Sequence, residues 1–438
     1  MAAPAVTRLP AQATPLRTAA ERPDPRMDRR ALLDAAEAAP PAEGVDALAA
    51  ELAARVDASE VSMLIADISG LTLARLARRP APAQSVPVRP ACESVPIDGT
   101  PAGRALTSQR TQVSRDDDGV WVHVPVSERG EAVGVLELLL AETPGAHTLD
   151  YLSSAGHALA YVVIADRRFS DLYELGQRST VLTLEAEIQR RLLPASYACE
   201  GPQFALAGWL VPAEEAGGDS FDYMVDSTTL HLSITDAMGH GVPAAQLATI
   251  GVGSLRNSRR RGLGLTEQAQ QASTHIAEHA APDQFVTALL GRLDLQTGAL
   301  ELVDAGHLNP LLVRDGQVAE IPLDAGLVLG VAPDEAYAVQ RCQLVPGDRL
   351  AFVTDGMFER SAAEAEIEGL LGTLGHLHPR EAVQVLTAAV LHVTGGAVRD
   401  DATVLIVDWY GDSGTLAGRR PPASDGPTST AHGPPKES

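Results

Sequence analysis

Four aspartates stand at the ends of apolar, strand-like runs in the second half of the chain. Asp219 lies in EEAGGDSFD, Asp236 in LHLSITDAMGHG, Asp355 in LAFVTDGMFE and Asp400 in VRDDATVLIV. A carboxylate at a strand end, next to a glycine or turn residue, projects from a rigid sheet edge into a cleft, whereas a solvated surface charge more often falls in mid-loop. The pattern predicts one acidic site assembled from distant segments.

The ligand chemistry of such a site indicates hard divalent cations. Carboxylate oxygens with few histidines or cysteines suit Mg²⁺ or Mn²⁺ rather than zinc. A pair of these ions can activate a water molecule and hold a phosphoryl group for in-line attack. The expected reaction is hydrolysis of a phosphate monoester by a metal-activated water, without a covalent enzyme intermediate.

Glycines accompany two of the aspartates. Gly217 and Gly218 precede Asp219, and Gly239 and Gly241 flank His240 at a strand-to-helix turn. Glycine permits backbone conformations that a Cβ forbids and lets the backbone approach a phosphate closely. For Gly217 and Gly218, a tight turn without any ligand contact is an equally good explanation.

Other polar residues nearby have two interpretations each. Asp222 could orient a water molecule on a metal, and Asp401 could support its neighbour Asp400 or be the ligand itself. His240 could assist proton transfer, and His307 lies in a similar glycine-containing turn, but for both a structural hydrogen bond is the better-supported alternative.

The elements around these residues are mostly short strands, from about 200 to 410, interrupted by helical stretches near 242–281 and 379–394. Hairpin turns such as DLQTGAL and RDGQV make most of the strands antiparallel. Many strands with paired helices predict a layered α+β sheet sandwich.

The whole chain divides into five segments by composition and periodicity. Residues 1–42 predict a flexible arm and 412–438 a disordered tail, since both are rich in Pro and small residues. Residues 43–165 predict a small α+β domain, 166–194 a linker helix, and 195–411 the domain that carries the aspartates.

The linker has apolar residues at near-heptad positions before Pro194 ends the helix: Leu172, Leu175, Leu182, Ile188 and Leu192. A helix that joins two domains, with little else to cover its apolar stripe, favours dimerisation through the linker and hence a homodimer. Packing of the helix on its own domain is the alternative.

Composition excludes several partners. The 438 residues suggest two or three domains, and their net charge of -23 disfavours nucleic acid or an anionic membrane. Three scattered cysteines, Cys92, Cys199 and Cys342, indicate neither a disulfide framework nor a zinc site. With no apolar run of membrane-spanning length and no signal peptide, we expect a cytoplasmic protein.

In order along the chain, the motifs resemble the SpoIIE/RsbU-like branch of the PPM metal-dependent phosphatases. They are RRLLP, EEAGGDSFD, TDAMGHG, LDLQTGALELVDAGHLNPLLV, LGVAPDEAY, LVPGDRLAFVTDGMFE and DDATVLIV. The resemblance implies an α-β-β-α sandwich of two antiparallel sheets with two Mn²⁺ or Mg²⁺ ions between them. It also implies that Asp219 and Asp236 contact both ions, that Ala237 offers its backbone carbonyl, and that Asp355 and Asp400 complete one shell.

Residues 43–165 resemble a GAF sensory domain in the order of their elements, including VPIDGTPAGRALTSQRTQV as a loop and helix before the last strands. A PAS-like domain or a packing module without a ligand is the alternative. If the resemblance holds, an unknown small ligand or protein signal acts on this domain.

Two residues depart from the phosphatase pattern: Ser220 stands where an aromatic or bulky apolar residue is usual, and Phe358 replaces a small or polar residue. WLVPAEEAGGD also contains no arginine for the substrate phosphate, which eukaryotic relatives have and this branch usually does not. None of these removes a metal ligand, so activity is expected, but the phosphate-binding residue is not identified.

Together these features predict a serine/threonine phosphoprotein phosphatase of signalling. The resemblance implies a phosphorylated anti-anti-sigma (STAS-domain) substrate in a sigma-factor partner-switching pathway, controlled by the GAF-like domain. The chief alternative is a catalytically silent scaffold that regulates by binding. A metal-dependent nuclease would need a basic groove, which this acidic chain does not predict.

Overall fold

The computed structural model describes residues 29–67, 70–79, 93–177, 182–213, 217–281, 283–334, 336–358, 366–396 and 398–411. Cys92, the tail from 412 onward and the first 28 residues of the expected flexible arm lie outside these ranges. Cys199 and Cys342 are free thiols. Within the described ranges, no helix combines the length and apolar composition that a membrane crossing requires.

The N-terminal part is one antiparallel sheet with helices on both faces. Its strands are ordered β3-β2-β1-β6-β5-β4. The elements are α1 (Arg29–Ala38), α2 (Gly44–Val56), β1 (Glu60–Ala66), β2 (Thr72–Arg79), β3 (Ser94–Pro96), α3 (Pro101–Ser108), β4 (Gln112–Arg115), β5 (Val120–Glu128), β6 (Glu131–Leu140) and α4 (Ala146–Asp166).

The main core of this domain lies between the sheet and helices α1, α2 and α4, and a smaller cluster lies under α3. The β5–β6 hairpin turns at Arg129 and Gly130, both with positive φ, of 45° and 86°. Two such residues fit a tight hairpin turn that follows the twist of the strands.

The expected flexible arm is wrong for its last part. Arg29–Ala38 forms α1, and Leu32 is fully buried in the domain core. The segment is rich in strong helix formers, but a helix of only ten residues is marginal by itself, and packing against the domain core stabilises it.

The expected single linker helix also differs. The chain forms two short helices, α5 (Leu172–Gly176) and α6 (Leu184–Leu192). α6 begins at the cap Thr183, whose side chain accepts from the Ala186 N–H, and it packs on the helix Gly241–Arg260 of the next domain. Leu192 is buried there, so the packing alternative accounts for this residue.

The C-terminal part consists of two stacked antiparallel sheets. A five-stranded sheet has the order β15-β12-β11-β10-β9 and a six-stranded sheet the order β14-β13-β16-β17-β8-β7. The strands are β7 (Ala198–Glu200), β8 (Phe204–Val211), β9 (Ser220–Val225), β10 (Thr229–Ala237), β11 (Val286–Asp294), β12 (Ala299–Ala305), β13 (Leu311–Arg314), β14 (Gln317–Glu320), β15 (Gln340–Gln343), β16 (Arg349–Val353) and β17 (Ala402–Trp409).

One layer of helices covers each outer face. Helices α7 (Gly241–Arg260) and α8 (Leu265–His279) pack on the five-stranded sheet, and α9 (Ile367–Thr373) and α10 (Pro379–Val393) pack on the six-stranded sheet. Side chains such as Phe221, Phe352 and Trp409 fill the space between the sheets. The architecture is the predicted α-β-β-α sandwich; α9 was not predicted.

Candidate active site

Asp219 and Asp236 face each other across one end of the five-stranded sheet. Antiparallel pairing sets Thr235 opposite Ser220, so the residues before β9 and near the end of β10 are neighbours. Side chains alternate along a strand, and Ile234 and Phe221 point into the space between the sheets. Asp236 and Asp219 share the parity of these residues and therefore point toward the second sheet.

Asp355 and Asp400 come from the facing end of the six-stranded sheet. Val353 at the end of β16 pairs with Val404 near the start of β17, which brings the segments outside them together. Asp355 opens a short 3-10 turn directly after β16, and Asp400 lies two residues before β17. Both residues are exposed, whereas Asp219 is buried.

Asp219 connects the two sheets. Its Oδ2 accepts hydrogen bonds from Thr354 Oγ1 at 2.7 Å and from Thr403 Oγ1 at 2.6 Å. Both threonines belong to the six-stranded sheet side, and the Thr403 N–H donates to Thr354 Oγ1 at 3.0 Å. The carboxylate is therefore held in a fixed orientation by hydroxyls that are themselves fixed.

Burial and neighbouring carboxylates raise the pKa of both Asp219 and Asp236. Burial raises the pKa of Asp219 well above its ordinary value, and the charges of Asp236 and Asp401 add to the effect. Burial together with the charges of Asp355, Asp400 and Asp401 raises the pKa of Asp236 to about 7. Such mutual repulsion disfavours the fully ionised site unless a cation compensates it.

The residues fit Mg²⁺ or Mn²⁺ in their chemistry, since the donors are carboxylate oxygens and a backbone carbonyl. As the side chains stand, no three His, Cys, Asp or Glu residues of the described ranges are arranged to enclose an ion. The charges of Asp355 and Asp400 nevertheless raise the pKa of Asp236, so these three carboxylates lie within electrostatic reach of one another.

Asp401 is hydrogen-bonded to the backbone of the segment that carries Asp219. Its Oδ1 accepts from the Ala213 N–H at 2.8 Å, and its Oδ2 accepts from the Asp219 N–H at 3.4 Å and from the side-chain amide of Gln189 on α6. Gln189 also donates to the Asp219 carbonyl at 3.1 Å. Asp401 is buried and its oxygens are engaged, whereas Asp400 is exposed.

Asp222 is not placed with the other aspartates. Its Oδ1 accepts from Arg256 at 2.7 Å and its Oδ2 from Arg259 at 2.8 Å, both on α7. Side chains alternate between the two faces of a strand. Phe221 and Tyr223 point into the core between the sheets, so Asp222, which lies between them, points to the opposite face. The expected role beside a metal is therefore wrong, and Asp222 fastens α7 to the sheet.

His307 is a structural residue. Its Nδ1 accepts from Thr287 Oγ1 at 2.8 Å, and its Nε2–H donates to the Val353 carbonyl at 3.1 Å. Burial lowers its pKa to about 4, so the ring is neutral at pH 7. His240, by contrast, is exposed at the N-cap of α7 beside the site.

Close backbone packing explains Gly217 and Gly218. A Cβ on Gly218 would lie 2.4 Å from the Ala237 carbonyl oxygen, and one on Gly217 would lie 2.7 Å from Asp401 Oδ2. These contacts support the structural alternative for both glycines. They also set the position of the Ala237 carbonyl, because the Ala237 N–H donates to the Gly218 carbonyl at 3.3 Å.

Sequence reasoning missed the residues that orient the acidic groups, Gln189, Thr354 and Thr403. Thr403 alternates with Leu405 and Val407, which gives a signal that it points between the sheets. Gln189 offers no such signal, because its contact with Asp401 spans 212 positions of the chain.

The sequence of the C-terminal domain is similar to those of known proteins. Residues 226–410 match the family model of stage II sporulation protein E (SpoIIE). Phosphoserine phosphatase RsbU of Bacillus subtilis (strain 168) is 22% identical over 217 residues, which are 49% of this chain and 63% of the relative. Stage II sporulation protein E of the same organism is 23% identical over 199 residues, 43% of this chain and 24% of the relative.

Two solved structures are also similar. The RsbU and RsbW domains of Rv1364c from Mycobacterium tuberculosis show 26% identity and a TM-score of 0.43, covering 48% of this chain and 62% of that one. The SiaA-PP2C domain of Pseudomonas aeruginosa shows 21% identity and a TM-score of 0.44, covering 51% and 93%. The chain spans less than two thirds of the length of the curated relatives. Over residues 226–410, its C-terminal domain is similar to the SpoIIE family and to the phosphoserine phosphatase RsbU.

Proposed function

We propose that this chain is a Mg²⁺- or Mn²⁺-dependent protein serine/threonine phosphatase that acts in signalling. The observation that carries the proposal is the meeting of four aspartates from matching ends of two stacked sheets, with the pKa of Asp236 raised to about 7 by its acidic neighbours. A carboxylate group of this kind is stable in its ionised form only with a cation.

In this proposal Asp219, Asp236, Asp355, Asp400 and the Ala237 carbonyl hold two ions. When bound, the ions supply the charge that activates water and polarises a phosphoryl oxygen. Thr354 and Thr403 orient Asp219, Asp401 orients the backbone at Asp219, and His240 at the start of α7 is available to accept or deliver a proton.

The substrate we propose is a phosphorylated anti-anti-sigma protein of the STAS class, in a sigma-factor partner-switching pathway. Similarity to a phosphoserine phosphatase supports a phosphoprotein substrate. The negative chain charge of -23 fits a protein partner better than nucleic acid. We further propose a cytoplasmic homodimer whose N-terminal domain is GAF-like and controls the phosphatase through α5 and α6.

The silent scaffold remains the alternative function. It would keep the fold and the partner but not the chemistry. The presence of all four aspartates at one edge, with dedicated hydroxyl donors on Asp219, favours the enzyme because a scaffold has no need to hold repelling carboxylates together.

The experiment is phosphate release from purified phosphorylated STAS proteins, with and without Mn²⁺. We expect release that requires the metal and that is absent in Asp236→Asn. Release by Asp222→Asn at the wild-type rate is the matched control, because Asp222 is anchored to α7 away from the site. Stable binding of the phosphoprotein without any release would instead establish the scaffold.

A further inference from the structure

A cavity of about 590 Å³ lies between the N-terminal domain, the linker helices and the six-stranded sheet. Its apolar wall includes Ile97, Leu106 and Trp209, and its polar wall includes Glu131, Arg167 and Arg190. This volume lies within the range of small-molecule binding sites, which combine an apolar lining with a few polar groups. As far as described residues form the wall, it contains none of the four active-site aspartates.

Arg167 is an arginine of this wall whose Nε atom has no hydrogen-bond partner. It follows α4 directly, and its Nε atom is buried without a hydrogen-bond acceptor. Burial lowers the pKa of its guanidinium, against the opposing charges of Glu131 and Glu174, but guanidinium stays protonated at neutral pH. A buried, charged donor without an acceptor is unfavourable, and an oxygen supplied by a ligand would satisfy it.

Two other arginines of the wall, Arg190 and Arg380, are already engaged. Arg190 donates to Glu174 Oε2 at 2.6 Å and to Gln177 Oε1 at 3.1 Å. Arg380 donates to Glu200 Oε1 at 3.2 Å and to the Thr107 carbonyl at 3.3 Å. Among the arginines that line the cavity, Arg167 is the one with a buried nitrogen that has no acceptor.

The surroundings of Arg167 restrict the charge of a ligand. Glu131, Glu128 and Glu174 all line the cavity, so a dianion would meet strong repulsion. Burial raises the pKa of Glu131 to about 7, which reduces its repulsion of a single negative charge near neutral pH. A monoanion with one oxyanionic group is the charge type that fits.

We propose that this cavity is a binding site for a small monocarboxylic acid, whose carboxylate contacts Arg167 and whose apolar body packs on Ile97, Leu106 and Trp209. Carboxylate is the planar oxyanion that guanidinium binds best with a single negative charge.

The site has a direct structural connection to the acidic site. Arg190 lines the cavity, and the adjacent residue of α6, Gln189, donates to the Asp219 carbonyl and to Asp401. A ligand in the cavity would therefore contact α6, the helix whose Gln189 is hydrogen-bonded to Asp219 and Asp401.

The test uses metal-free full-length protein in EDTA, so that bound metal cannot capture carboxylates. Butyrate, benzoate and 3-phenylpropionate are compared with their primary amides by saturation-transfer NMR and calorimetry. We expect at least one acid to bind about tenfold or more tightly than its amide, the difference that a charge-assisted hydrogen bond makes. Arg167→Met should remove that preference, while Arg261→Met, the same loss of charge at the exposed end of α7, should keep it.

The proposal is overturned if none of the acids binds at about 10 mM, a concentration that detects even weak sites. It is also overturned if acid and amide bind equally, or if folded Arg167→Met keeps the preference. Should Arg167→Met fail to fold, as judged by circular dichroism, the comparison of acid and amide on the wild-type chain decides. Since binding is measured without turnover, failure here is distinct from failure of the phosphatase.

Discussion

The Thr403 hydroxyl lies 2.6 Å from Oδ2 of Asp219 and thereby joins the two sheets at the edge where the four aspartates meet. Thr354 donates to the same oxygen at 2.7 Å. Two hydroxyls on one carboxylate oxygen stabilise its ionised form and fix its direction. The acidic site is thus oriented by neutral residues of the opposite sheet.

Replacing Thr403 with valine should weaken Mn²⁺ binding by about tenfold or more, since groups that orient a metal ligand typically contribute this much. Thr403→Ser, which keeps the hydroxyl, should bind Mn²⁺ within a few-fold of wild type. Calorimetric titration with Mn²⁺ measures both. Equal affinity of wild type and Thr403→Val would show that the hydroxyl does not orient a ligand.

Stability of the metal-free protein should depend on pH through Asp236. Its pKa is about 7 in the folded chain and near 3.8 when unperturbed, so the unfolded state loses its proton first. The stability that this group contributes below about pH 4 is therefore lost progressively as pH rises to about 7. Above that pH, its contribution to the free energy of unfolding no longer changes. Relative to wild type, Asp236→Asn should gain stability across this window. Urea denaturation in EDTA at pH 4.5, 6 and 8 tests this; a constant difference between the two proteins would contradict it.

Mutation of Asp222 and mutation of Asp236 should have opposite effects on stability and on Mn²⁺ binding. Asp222→Asn leaves Arg256 and Arg259 without their acceptor charge and should lower the free energy of unfolding by about 2–3 kcal/mol, somewhat less than for a wholly buried pair. Its Mn²⁺ affinity should be unchanged. If Asp222→Asn instead kept its stability and lost Mn²⁺, Asp222 would belong to the metal site.

Gly218 should tolerate no side chain. A Cβ there would meet the Ala237 carbonyl at 2.4 Å, so Gly218→Ala should destabilise the domain by about 1–3 kcal/mol and displace that carbonyl. Gly253 on α7 is exposed with open space around it, and Gly253→Ala should stabilise the helix by about 0.5–1 kcal/mol. Thermal unfolding of both variants gives the comparison. A neutral Gly218→Ala would mean that the backbone shifts without cost.

The fold of the C-terminal domain was largely predictable, because its strands alternate and its hairpins carry turn residues. The same alternation explains why Asp219 and Asp236 meet, and it also shows why Asp222 does not join them. The alternation of side chains along β9 could be read from the sequence and places Asp222 on the opposite face from Asp219. The short spacing of the two residues in the motif instead suggested that Asp222 orients a water molecule on a metal.

What the sequence did not predict depends on long-range packing. Helix α1 has only ten residues and is stabilised by burying Leu32, and in the linker α6 packs on α7 of the phosphatase-like domain. The contact of Gln189 with Asp401 joins residues 212 positions apart. The spacing of apolar residues within one segment does not indicate such contacts, because they form only when the two sheets and the linker pack together.

Hydrolysis of p-nitrophenyl phosphate by the full chain tests the central claim most directly. With saturating Mn²⁺ we expect turnover by wild type, turnover near the wild-type rate by Asp222→Asn, and a loss of at least about 100-fold in Asp236→Asn, the upper end of what a merely supporting residue costs. Turnover should stop in EDTA and return with Mn²⁺. No turnover by folded, metal-saturated wild type, or turnover that survives in Asp236→Asn, would contradict the account.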